Sequence, residues 1–144
     1  MPLGELRVGE LLAALGERTP TPASGAATAL TAALAAALVE LAGRFAEDEE
    51  SVVRAKALGS RLAQLADEDA DAYTAFMAER SDANRARIIA VPAEIAARAE
   101  EVAALADHVA GQLESSIVAD ARAAAELARA AARVGALLVD VNHA

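Results

Sequence analysis

An all-α fold, a single-domain bundle of about five helices with long alanine-rich central helices, is predicted by three observations. Hydrophobic residues make up 56% of the 144-residue chain but aromatics only 2%, so the apolar surface comes in small pieces suited to closely approaching helices, not in the aromatic and β-branched side chains that strands favour. Apolar residues recur three and four positions apart over long stretches, which is the helical period. Proline, glycine and acidic runs mostly fall between those stretches. Neither a composition break nor a solenoid-length repeat divides residues 1–144, and one core suits that length.

The first helix is expected over Gly9 to Leu15, with Leu11, Leu12 and Leu15 on one side and Gly16 as a stop. Thr19-Pro20-Thr21-Pro22-Ala23-Ser24-Gly25 is an extended, proline-stiffened approach to a second helix, which Ser24 is placed to cap. That helix runs to about Phe45 and carries Leu34, Leu38, Leu41 and Phe45. The acidic run Glu47 to Glu50 predicts a solvated turn. A third helix from Val52 to about Glu79 has Leu58, Leu62, Leu65, Tyr73 and Phe76 as its stripe. Ser81-Asp82 caps a fourth, from Ala83 toward Leu113, which Pro92 should kink or interrupt. The last helix, roughly Ile117 to Val141, repeats Ile117, Asp120, Ala124, Leu127, Ala131, Val134, Leu138 and Val141 at alternating steps of three and four. The central helices are apolar around most of their circumference, as expected when both an intrachain neighbour and a second subunit cover them, so a homodimer is predicted.

The absence of cysteine excludes disulfides, thiolate nucleophiles and thiolate-bound zinc. A formal net charge of −9 argues against nucleic acid or an anionic membrane as partner. The start, Met1-Pro2-Leu3-Gly4-Glu5-Leu6-Arg7, lacks the basic-then-apolar order of a secretory signal. Ala23 to Val39 is uncharged but rich in Ala and Thr and short for a bilayer span, so it reads as a buried core helix. A cytoplasmic protein is expected.

Two aspartates interrupt the helical stripes. Four residues beyond Leu65 lies Asp69, and four more reach Tyr73; Asp120 falls on the seam of the last helix. An unpaired buried carboxylate costs several kcal/mol, so each needs a partner, a proton or solvent. Either could sit at a bundle end; two inward carboxylates on different helices also suit acid/base chemistry. No metal site is expected: Asp67, Asp69 and Asp71 resemble the start of a calcium loop, but Ala72 and Ala78 replace its Gly and Glu, and the two histidines, His108 and His143, lack zinc spacing. Ser115 and Ser116 have no neighbouring base. The approach to the second helix offers free backbone N–H groups as an anion seat, with Arg44, Arg85 and Arg87 as cations for an acidic ligand.

Taken together, these segments resemble the cyclodeaminase domain of formiminotransferase-cyclodeaminase and the related methenyltetrahydrofolate cyclohydrolases. Thr19 to Gly25 is similar to the family's threonine-proline-x-proline-triglycine lead-in, Asp69 and Tyr73 to its Asp-x-x-Ala-aromatic stretch, Val91-Pro92 to its valine-proline segment, Ala119-Asp120 to its serine-aspartate, and Val141-Asn142 to its ending. The resemblance implies an intertwined helical homodimer that binds a reduced folate as substrate at the subunit interface, with no metal and no permanently bound cofactor. It implies Asp69 and Asp120 as acid/base or pterin-orienting carboxylates, and a ligand wall from Thr19, Pro20, Pro22, Ser24, Gly25, Tyr73 and Asn142; Arg44, among the cations named above, is expected to join the ligand-binding residues. Ala23 and Ser24 stand where the family has glycines, Ala119 where it has serine and Leu138 where it has the first asparagine of the ending. These replacements motivate an alternative: a catalytically silent dimeric member that binds a small ligand or a protein partner.

Overall fold

Among the described residues five α-helices form close to where periodicity and capping residues place them: α1 (Val8–Gly16), α2 (Ser24–Phe45), α3 (Glu49–Ala78), α4 (Asp82–Ala110) and α5 (Val118–His143), preceded by a 3-10 turn at Leu3–Glu5. The computed structural model describes residues 1–114 and 116–144, with no strand among them; Ser115 lies outside the described residues. The all-α bundle is as expected. Its core helices are α2 to α5: α2 packs mainly on α3, α4 mainly on α5, and α2 also crosses α5 and α4. No residue of α1 is buried.

The turns explain the helix ends. The last residues of α2 close in a Schellman arrangement: the Asp48 N–H donates to the Gly43 carbonyl at 2.9 Å and that of Glu47 to the Arg44 carbonyl at 3.2 Å, with Glu47 at φ 55° in the left-handed region where glycine is usual. The acidic run is therefore not all turn. Asp48 caps α3 by accepting from the Ser51 N–H at 3.1 Å, and Glu49 and Glu50 occupy the first turn, where the positive helix end favours acidic side chains. Ser81 caps α4 as expected, accepting from the Asn84 N–H at 3.1 Å. Ser24 does not cap α2: the N-cap is Ala23, no side chain fills the role, and Ser24 is already the first helical residue.

Alanine, not leucine, forms the interior of α2 and α5. The buried face of α2 is Gly25, Ala26, Thr28, Ala29, Ala32, Ala35, Ala36, Val39, Ala42 and Gly43, while Leu34 is 66% and Phe45 60% exposed. The buried seam of α5 is Ala121, Ala124, Ala125, Ala128, Ala131, Ala132 and Gly135. The expected stripe is thus rotated by about one position, leaving Leu127 and Val141 exposed and Asp120 beside the seam, partly buried. Small residues win the inside because they let helix axes approach closely. Where α4 and α5 pack at Gly135, a methyl group on that residue would come 2.9 Å from Ala96 Cβ and 3.1 Å from the Pro92 carbonyl. In α3 the expected stripe is inside, with Leu58, Leu62, Leu65 and Phe76 buried.

α4 continues through Pro92, whose side chain is fully buried, without interruption. Arg61 ties α3 to α4 by donating to Glu94 at 2.7 Å while also holding Glu68 at 2.7 Å. α2 has the length and apolarity of a membrane span, with a mean hydropathy of 1.7, but half of that stretch is buried inside the fold, as in a core helix.

Candidate functional site

The segment Thr19 to Gly25 delivers the start of α2 to one end of the bundle, where it meets the last third of α3, the first turns of α4 and the last turns of α5. A cleft of about 270 Å³ opens there. Pro20, Thr21, Ala23, Ser24 and Gly25 form one side, Asp69 and Tyr73 the floor from α3, Ile88 a patch from α4, and Leu138, Val141 and Asn142 the wall from α5. No Lys, Arg or His is among the lining residues. Since α2 begins and α5 ends at this cleft, the two helices run antiparallel.

The contact between Asp69 and Gly25 defines the floor. A methyl group built on Gly25 would fall on the Asp69 carboxyl group itself, so only glycine leaves that carboxyl room against the first turn of α2. The first backbone bond of α2 runs from the Ala27 N–H to the Ala23 carbonyl; the N–H groups of Ser24, Gly25 and Ala26 have no helical acceptor. Burial pushes the Asp69 carboxyl above its ordinary pKa. The positive end of α2 acts in the opposite sense. The result is a carboxyl group with a raised pKa beside free N–H donors, an arrangement that suits proton transfer.

Of the residues singled out from sequence, Pro20, Ser24, Gly25, Asp69, Tyr73 and Asn142 converge on the cleft. Thr19 lies just outside, its hydroxyl donating to the Thr21 carbonyl at 3.2 Å, and Pro22 does not line the cavity. Arg44 sits at the far end of α2, donating to Glu40 at 2.8 Å. Asp120 occupies the first turn of α5, 18 residues before Leu138 and so about 27 Å along the axis from the cleft. One protomer therefore does not bring Asp69 and Asp120 together. Stripe position fixes a residue's angle around a helix, not its height along it.

Sequence reasoning missed Ile88 and Val141 as site residues, and took Leu138 only as a replaced asparagine. The signal was available for α5, because Leu138 and Asn142 are four residues apart and share a face. Asn142 donates its side-chain amide to the Ile88 carbonyl at 2.7 Å. A larger depression, about 470 Å³, lies between α4 and α5, lined by alanines, the paired charges Asp107 and Arg129, and the further charges Glu100 and Arg133. Among the described residues no cluster of three His, Cys, Asp or Glu side chains could hold a metal.

A family model described as formiminotransferase-cyclodeaminase matches residues 7–144, nearly the whole chain. No curated protein matches the sequence. The family points to folate one-carbon metabolism.

Proposed function

The chain belongs to the formiminotransferase-cyclodeaminase family, and from that premise we propose that it is a methenyltetrahydrofolate cyclohydrolase or a formiminotetrahydrofolate cyclodeaminase, with a reduced folate as substrate in the cleft floored by Asp69. The observation that carries this reading is the Asp69 carboxyl itself: partly buried, raised in pKa, and given room by Gly25 beside the start of α2. In the cyclohydrolase direction the Asp69 carboxylate takes a proton from water as it attacks the amidinium-like methenyl carbon, and returns it to the ring nitrogen as the C–N bond breaks. In the cyclodeaminase direction a folate nitrogen attacks the formimino carbon and Asp69 delivers the proton with which ammonia leaves. Tyr73 and the Pro20 to Gly25 wall hold the flat ring system. No metal and no resident cofactor take part, and the protein acts in the cytoplasm.

The proposal includes a homodimer. The cleft volume of about 270 Å³ is at the lower edge of the ~300–1,000 Å³ of small-molecule sites, and two large apolar side chains farther along α2, Leu34 and Phe45, are uncovered. Covering each would contribute roughly 1.5–3 kcal/mol. A second copy laid antiparallel on α2 brings the far end of its own α2, with Arg44, and its α5 start, with Asp120, toward this cleft; that is the role left to those two residues.

The test is calorimetric titration with 5,10-methenyltetrahydrofolate and 5-formyltetrahydrofolate, with turnover followed by loss of the methenyl chromophore. Binding with turnover is expected, from a protein of dimeric mass. Binding without turnover favours the silent-member alternative, which the replaced glycines at Ala23 and Ser24 and the Leu138 wall motivate. No binding at millimolar ligand, or a monomeric mass at micromolar protein, overturns the corresponding part.

A further inference from the structure

Pro92 has no N–H, so the carbonyl four residues earlier, that of Ile88, loses its helical donor. Asn142 replaces that donor from another helix: its side-chain Nδ2 reaches the Ile88 oxygen at 2.7 Å. The same turn of α5 is gripped a second time, because Arg85 donates to the Asn142 backbone carbonyl at 3.3 Å while its guanidinium lies 5.2 Å over the Phe76 ring. Asn142 stands next to the C-terminal end of α5, where carbonyls lack helical partners and helices fray. Yet this turn supplies Leu138, Val141 and Asn142 as one wall of the cleft.

We infer that Asn142 is a positioning residue: it fastens the last turn of α5 across the cleft by filling the hydrogen bond that Pro92 leaves open, which commits one of its two amide N–H donors. The valine-proline segment and the terminal asparagine, 50 residues apart in the chain, are then two halves of one device. The inference rests on the cleft being the binding site, and adds to the ligand contact that the resemblance implies for Asn142.

The experiment is a double-mutant cycle read by hydrogen exchange of the backbone amides of residues 138–142, in the full-length protein. Asn142→Ala and Asn142→Asp, which keeps the shape but removes the donor, should each speed that exchange about fivefold, the worth of one net hydrogen bond. In a Pro92→Ala background, where residue 92 can donate to Ile88 again, Asn142→Ala should have a smaller effect. Equal effects in both backgrounds, or wild-type protection in Asn142→Asp, overturn the latch; the latter comparison stands even if Pro92→Ala does not fold. The affinity for 5-formyltetrahydrofolate should fall by a similar factor in both Asn142 variants and stay unchanged in Asp140→Ala on the exposed side of the same turn. Faster exchange with unaltered affinity reduces Asn142 to a structural clasp and overturns the positioning role. If the wild type does not bind this probe, the folate reading fails, while the exchange cycle still decides the latch.

Discussion

Asp48, which caps α3, and Asp69, within it, stand in opposite circumstances. Asp48 accepts from the Ser51 N–H, from the Ser51 hydroxyl at 2.5 Å and from Gln112 at 2.9 Å, with His108 beside it. Those hydrogen bonds, the Ser51 hydroxyl foremost, lower its pKa to about 2. Asp69, twenty-one residues on, is shifted upward by burial alone. Donors around Asp48 belong to the protein, so its charge is used up in joining α3 to the end of α4. At Asp69 no side chain among the described residues donates a hydrogen bond; the carboxyl lies against the first turn of α2, and in the proposed function its hydrogen-bonding capacity serves the ligand. The raised and the lowered carboxylate thus suit different roles, the one proton transfer in the proposed function and the other structural anchoring.

The comparison breaks most easily at Asp69. Asp69→Asn should lower turnover of the methenyl substrate by about 10²–10⁴-fold, the usual worth of a positioned acid/base group. The same variant should be more stable than wild type at neutral pH. A folded pKa above the ordinary value makes ionisation costly to the native state, so that penalty is present at pH 7, shrinks as pH falls through the folded pKa, and vanishes below the unfolded value near 3.9. Thermal unfolding across pH 3–7 would check this; a melting temperature lower than wild type at pH 7 contradicts the description of the site.

Gly25→Ala tests the space and not the charge. Its added methyl has no home but the position of the Asp69 carboxyl, and such overpacking costs on the order of 1–3 kcal/mol. Both chemical denaturation and folate affinity should register it. Gly135→Ala, tight against Ala96 and the Pro92 carbonyl, should cost a similar amount in denaturation while acting from outside the cleft.

Asp48→Ala is the mildest and sharpens the contrast from the other side. Turnover should be unchanged. Because the folded pKa of Asp48 lies near 2 against an ordinary 3.8, its stabilisation is fully present above about pH 4 and is lost as pH falls toward 2. The melting curves of wild type and variant should therefore converge in acid, and a constant gap down to pH 2 would sink the assignment.

How much of this could be read in the sequence depended on the kind of information. Helix number, the cap at Ser81 and the interior of α3 were legible, because leucine spacing and capping side chains are local signals. The inside of α2 and α5 was not: in an alanine-rich helix the large side chains draw the eye, yet they are the ones left on the outer face, as at Leu34 and Leu127. The convergence of the Pro20 to Gly25 segment with Asp69 and Asn142 was anticipated through resemblance, whereas the distance of Asp120 and Arg44 from that cleft depends on which way neighbouring helices run. Ser24 failed as a cap because capping demands a non-helical backbone at that residue, and the helix begins one residue earlier than that role allows.

The alanine seam has a consequence for how this protein tolerates change. Alanine gives up essentially no rotamer freedom when buried and has only one methyl group to lose. An interior built of such residues holds few atoms whose deletion would open a cavity, while almost any added atom meets a neighbouring backbone. Along α2 and α5, then, damage comes by accretion and seldom by loss, and the positions free to drift in sequence lie on the outward faces, where the core sets no limit.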